Sequence, residues 1–193
     1  MAKEYYPRIY KNQVMNLYIM IFNLPSEIHW VNGDSLMADA HEYLVDSKFP
    51  EFSLHDEQDN IVTKNNILGQ WTVIFFYPKD ESPGCTLQSC SFRDRYELFR
   101  EEGILLYGVS SDSTSSHRRF KKRYNLQYPL LSDDGNELAK LLKLKRNFGF
   151  LNARVTFVIN PEGYIVYSHT SQIGVTGHVN KALKAIKSIK ASV

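Results

Sequence analysis

A nearly continuous apolar run, Trp71 to Tyr77, passes into a polar turn, Pro78 to Gly84, and then into a helix-forming stretch that opens on Cys85. No other segment constrains the fold as tightly. The run is rich in β-branched and aromatic residues, which suits a strand buried on both faces. Proline and glycine then break it. Ser82 followed by Pro83 has the form of an N-cap and first helical position, because proline has no N–H to lose there and a serine hydroxyl can accept one. The segment therefore reads as strand, turn, helix, and open α/β sheets bind ligands at the carboxyl ends of their strands.

On that count Cys85 occupies the third position of the helix. Unpaired backbone N–H groups and the positive end of the helix dipole favour a thiolate there, which makes Cys85 the candidate nucleophile. Cys90, the only other cysteine, follows five residues later. In an intact helix that spacing means about 7.5 Å of rise and roughly 140° of rotation. A disulfide needs Cα atoms within about 7 Å and converging Cβ vectors, so this pair can bond only if the first turns of the helix unwind.

Competing readings of the two cysteines are weaker. Free cysteine is among the most buried residue types, so an inert pair is the plain alternative. C-x4-C is not a zinc spacing, and His55, His117, His169 and His178 form no compact pair in the sequence. The C-x-x-C of a thioredoxin-like dithiol is absent.

With Pro78, Ser82 and Cys85 in place, the segment closely resembles the peroxiredoxin family, and in particular its thioredoxin-dependent subgroup, bacterioferritin comigratory protein or the Q type. The subgroup's phrase is reproduced by Phe76 to Asp80 and by Pro83 to Thr86, and its resolving cysteine and Phe-Arg-Asp by Cys90, Phe92, Arg93 and Asp94. The similarity runs from about Phe49 to Ile189.

The resemblance implies a thioredoxin-like fold, α/β with a central mixed sheet flanked by helices. It implies a peroxidatic role for Cys85, a resolving role for Cys90, and an intramolecular disulfide reduced by thioredoxin or a similar dithiol. Ser82 would hydrogen-bond the peroxide and Pro78 would shield the thiolate from water. Most relatives carry Thr at the Ser82 position, so the hydroxyl is kept and a methyl lost. Arg154, at the head of Arg154-Val155-Thr156-Phe157-Val158-Ile159, would face the thiolate and stabilise charge on the departing oxygen. That placement requires strand 155–159 to run antiparallel to 71–77. Arg93 is read either as a site residue or as a helix-surface ion pair. A monomer with no cofactor or metal is implied. The rival readings are a general thiol–disulfide oxidoreductase and a non-enzymatic redox sensor.

The rest of the chain fits one α/β domain. Apolar runs recur at 73–77, 104–109 and 155–159, and Pro161-Glu162-Gly163 joins the last of these to 164–168 as a hairpin. Helices are expected at 84–101, closed by Gly103, and at 114–124, 135–143 and 176–190. Phe92, Tyr96 and Phe99 share one helical face, and Ala182, Leu183, Ala185, Ile186 and Ile189 another, both read as core.

The net charge of +2 gives no case for nucleic acid, and the basic run Arg118 to Arg123 reads as a solvated helix face. Reduced thiols without a disulfide framework suit the cytosol. The Val14 to Leu24 stretch, interrupted by Asn16 and Asn23, is shorter than the ~20 residues of a membrane span, so no membrane partner is expected. Lys3, Arg8 and Lys11 give a faint signal-peptide look, but no small-residue cleavage site follows promptly. Residues 1–46 are read as an N-terminal extension, with Met37 as the expected start, and 47–193 as the folded domain.

Overall fold

A computed structural model describes residues 44–144, 146–147 and 151–191. The N-terminal extension lies outside these residues except for 44–46, as does the proposed start at Met37. In chain order the strands are β1 (Ser53–His55), β2 (Ile61–Thr63), β3 (Thr72–Phe76), β4 (Leu105–Ser110), β5 (Leu130–Ser132), β6 (Arg146–Asn147), β7 (Leu151–Asn152), β8 (Val155–Ile159) and β9 (Ile165–Thr170). The helices are α1 (Pro83–Arg93), α2 (Tyr96–Glu101), α3 (Thr114–Tyr124), α4 (Glu137–Leu141) and α5 (Gly177–Lys190).

Seven strands form one mixed sheet in the order β2-β1-β5-β4-β3-β8-β9, and β6 and β7 pair separately. β3 is parallel to β4, and β4 to β5, whereas β8 is antiparallel to both β3 and β9. All five residues of β3 are buried, as its unbroken apolar run requires. Its alternate side chains feed two cores. Ile74 and Phe76 join Phe49, Val155 and Phe157 beneath Leu138 and Leu142 of the α4 region. Val73, Phe75 and Tyr77 face Phe92 of α1, Phe99 of α2, Phe120 of α3, and Val179, Ala182 and Ile186 of α5. This is the thioredoxin-like arrangement that the sequence predicts, a central mixed sheet with helices on both faces.

Several elements depart from the sequence reading. The expected helix 84–101 is two helices, bent at Asp94-Arg95, where Arg93 engages the Asp94 carboxylate and Arg95 leaves helical geometry at φ −119°. Phe92 and Phe99 are nonetheless fully buried. The helix expected over 135–143 is confined to α4, because Asn136 is left-handed at φ 55° and the Asp133 carboxylate accepts the N–H groups of Leu138 and Ala139. β1, β2 and β5 have three residues each, too few to show a period of two. The 155–159 strand and its hairpin stand as read, with Gly163 at φ +83° closing the turn through its N–H to Asn160 O.

Helix α3 is not simply a solvated face. Arg118 pairs with Asp59, Lys121 with buried Glu57, and Arg123 with Glu81. Two histidines that look unrelated in the sequence, His169 and His178, lie against each other with ring centroids 4.7 Å apart and ring planes tilted by 54°. Among the described residues no group of three or more His, Cys, Asp or Glu could hold a metal, and no helix is long and apolar enough to cross a membrane.

Candidate active site

The antiparallel pairing of β3 and β8 sets Val155 opposite Phe76. The residue before β8, Arg154, therefore lies beside the end of β3, where the chain turns into α1. Tyr77 continues the ladder by donating its N–H to Val109 O, and half-buried Pro78 opens the turn. Glu81 adopts a left-handed conformation at φ 57° within that turn. Ser82 caps α1 as a position, with Pro83 at its start, and Cys85 falls in the first helical turn.

Cys85 is fully buried. Arg154 Nη1 donates to its sulfur at 3.2 Å and the Lys79 backbone N–H at 3.4 Å. Arg154 is itself only 9% exposed, and the same Nη1 donates to Gln88 Oε1 at 3.1 Å. A Cβ on Gly84 would sit 2.7 Å from Arg154 Nη2, so the guanidinium crosses the helix start only because residue 84 has no side chain. Two donors aimed at one sulfur beside a helix N-terminus are the surroundings that a nucleophilic thiolate needs.

The other expected residues are arranged less simply. Ser82 makes no side-chain cap; its hydroxyl donates to Lys79 O at 3.1 Å, while its carbonyl accepts the Thr86 N–H. Cys90 is partly buried, and burial raises its thiol pKa. Both cysteines are free and α1 runs unbroken through them, so the helical separation between them stands. Arg93 holds Asp94 through Nε and Nη2 and donates from Nη1 to Tyr124 O at 2.8 Å, which makes it a helix anchor.

Sequence reasoning missed Gln88 and Asp80. Gln88 stands one turn after Cys85 on the same helical face, a spacing that could have revealed it. Its Nε2, like Thr86 Oγ1, is buried with no partner among the described residues. Asp80 accepts from Tyr77 Oη and Ser116 Oγ, both at 2.8 Å, and faces His117 Nδ1 at 2.9 Å; its own N–H donates to Asp112 Oδ2. This buried network fixes the backbone on which the adjacent Lys79 N–H reaches the sulfur.

Comparison with known proteins shows the family of this chain. The family model described as AhpC/TSA family matches residues 45–168. Peroxiredoxin Q, chloroplastic, of Oryza sativa subsp. japonica is 39% identical over 144 residues, covering 74% of this chain and 66% of the rice protein. That of Sedum lineare is 39% identical over 142 residues, covering 73% and 76% of the two chains. The structure of peroxidoxin BcpB from Mycobacterium tuberculosis has a TM-score of 0.70 at 30% identity, covering 75% of this chain and 97% of that one. Xanthomonas campestris peroxiredoxin Q has a TM-score of 0.67 at 32% identity, covering 71% and 90%.

The cytosolic setting expected from the thiol content is overturned, since these plant relatives are chloroplastic. Two cysteines without a disulfide framework do not tell one compartment from another. The matched residues, the mixed sheet and the Cys85 site agree on one assignment: the chain belongs to the AhpC/TSA family, as a peroxiredoxin of the Q type.

Proposed function

We propose that the chain is a thiol-dependent peroxidase of the atypical two-cysteine kind, acting on hydrogen peroxide and organic hydroperoxides in a plastid. The observation that carries this reading is the Arg154 guanidinium 3.2 Å from a buried Cys85 sulfur at a helix start. The Cys85 thiolate attacks one peroxide oxygen; the S–O bond forms, the O–O bond breaks, and the departing oxygen leaves as water or alcohol once protonated. Arg154 stabilises the charge on that oxygen. The free amide N–H capacity of Gln88 offers a further donor beside it. Ser82 would reach a bound peroxide after rotation of its hydroxyl away from Lys79 O, and Pro78 would cover the thiolate from solvent.

The product is a Cys85 sulfenic acid. Cys90 attacks its sulfur, the S–S bond forms, and the hydroxyl leaves as water. Because α1 is continuous in the reduced protein, this step requires the helix to unwind. A dithiol such as thioredoxin then reduces the disulfide by exchange. The bond closes within one chain, which supports a monomer.

Turnover in the presence of thioredoxin, thioredoxin reductase and NADPH tests the whole cycle. Steady peroxide-dependent NADPH consumption that is lost in Cys85→Ser supports the proposal. A single transfer of the disulfide to a partner protein, without turnover, would favour a sensor and count against it.

A further inference from the structure

The helix that must unwind is tied to the core at the residue just before Cys90. Tyr128, fully buried between α3 and β5, donates its hydroxyl to Ser89 O at 2.8 Å. The Tyr128 ring meets Phe75 edge-on at 5.6 Å and lies 6.1 Å from Tyr96, so the phenol is held in place by packing. Ser89's own hydroxyl is buried with no partner among the described residues, so its side chain adds no hydrogen bond to the tie that Tyr128 makes with its carbonyl.

The ties along α1 are unequal. Its N-terminal half is held through Cys85 and Gln88, both bonded to Arg154. Oxidation of the Cys85 sulfur changes the first of these directly. The C-terminal half is held by Phe92, stacked on Phe75 at 4.2 Å, and by Arg93 on Tyr124 O, neither of which oxidation touches. Unwinding that starts at Pro83 therefore meets the Tyr128–Ser89 hydrogen bond last before it frees Cys90.

We propose that Tyr128 is a positioning residue, a latch on Ser89 O that slows the unwinding of α1 and so sets how long the Cys85 sulfenic acid survives before Cys90 closes the disulfide. The inference rests on the Cys85–Cys90 chemistry proposed above. A slower second step gives a second peroxide more time to carry the sulfenic acid to the sulfinic acid, with S–O bond formation, O–O cleavage and release of water or alcohol. Tyr128 thus tunes sensitivity to over-oxidation. Burial raises the Tyr128 phenol well above its usual pKa, so it remains a donor across the working range.

Tyr128→Phe removes the hydroxyl and keeps the ring. Reduced wild type and variant are mixed with hydrogen peroxide in a stopped-flow instrument, and the sulfenic, disulfide and sulfinic products are quantified by mass spectrometry. The expected result is an unchanged first phase, a disulfide-forming phase about fivefold faster, as loss of one hydrogen bond implies, and less sulfinic acid at high peroxide. Leu138→Ala, which loosens the opposite core, is expected to leave the second phase unchanged. Equal second phases in wild type and Tyr128→Phe would overturn the latch alone. Equal acceleration by Leu138→Ala would also overturn it, because general loosening would then account for the change. Absence of any Cys85–Cys90 disulfide in the wild type would sink the underlying chemistry as well.

Discussion

Arg154 and Cys85, 69 residues apart in the chain, meet with Nη1 3.2 Å from Sγ because antiparallel pairing sets the start of β8 beside the end of β3. Arg154→Met should keep the fold and slow the first reaction with peroxide by about 100-fold or more, the scale of losing a charged donor at a developing anion. Stopped-flow rates beside a circular dichroism melt check this. A near-wild-type rate would remove Arg154 from the chemistry.

Gly84→Ala separates placement of that cation from its presence. The new Cβ would lie 2.7 Å from Arg154 Nη2, so the guanidinium must shift while its charge remains. The expected outcome is a peroxide rate lower by about 10- to 100-fold. Stability is expected to change by less than about 1 kcal/mol, because alanine's advantage in a helix is opposed by the displaced Arg154 hydrogen bonds. Loss of rate and of melting temperature together would instead indicate general damage.

Asp80→Asn should destabilise the protein and weaken the site together. The buried carboxylate receives Tyr77 Oη and Ser116 Oγ and faces His117 Nδ1, and an amide cannot accept all three. Urea unfolding is expected to show a loss of about 3 kcal/mol. The first-phase rate should also fall, because the Lys79 N–H on Cys85 loses its support.

Stability should decline in mild acid through His178. Burial, reinforced by the nearby charges of Arg154 and Lys181 and by His169, pushes its pKa down to about 4. Its Nε2 meets Ser171 O and its Nδ1 meets Thr156 Oγ1, the pattern of a neutral ring with the proton on Nε2. The unfolded chain takes up this proton near the ordinary value of about 6.5. The contribution is therefore complete above that pH, falls as the pH drops toward 4, and levels off below it. The loss amounts to about 3 kcal/mol. Asp133, whose carboxyl is raised chiefly by burial, acts in the opposite sense at the acid end and trims this loss. Unfolding curves at pH 7.5 and 4.5 check the slope, and His178→Asn should flatten it.

Strand β3, the start of α1 and the position of Cys85 were legible because apolar continuity, Ser-Pro capping and turn residues all act locally. Arg154 was legible through the family resemblance, on the condition that β8 run antiparallel to β3, and the pairing of Phe76 with Val155 meets that condition. What stayed hidden depends on contacts made across the fold. Tyr128 reaches Ser89 and His117 reaches Asp80 from elements 39 and 37 residues away, with no local pattern to announce them. The bend at Asp94-Arg95 follows from where Arg93 finds its acceptors, and the His169–His178 contact from the packing of α5 over β8 and β9. Ser82 shows the limit of local rules. Its position is that of an N-cap, yet its hydroxyl turns back to Lys79 O.

The chemistry is tested most directly by mixing fully reduced protein with one equivalent of hydrogen peroxide and mapping the product by mass spectrometry. Reaction orders of magnitude faster than free cysteine, ending in a Cys85–Cys90 disulfide with protection lost over residues 83–91, is the expected result. Reaction no faster than free cysteine, or an oxidised protein whose α1 remains as protected as in the reduced one, would contradict it.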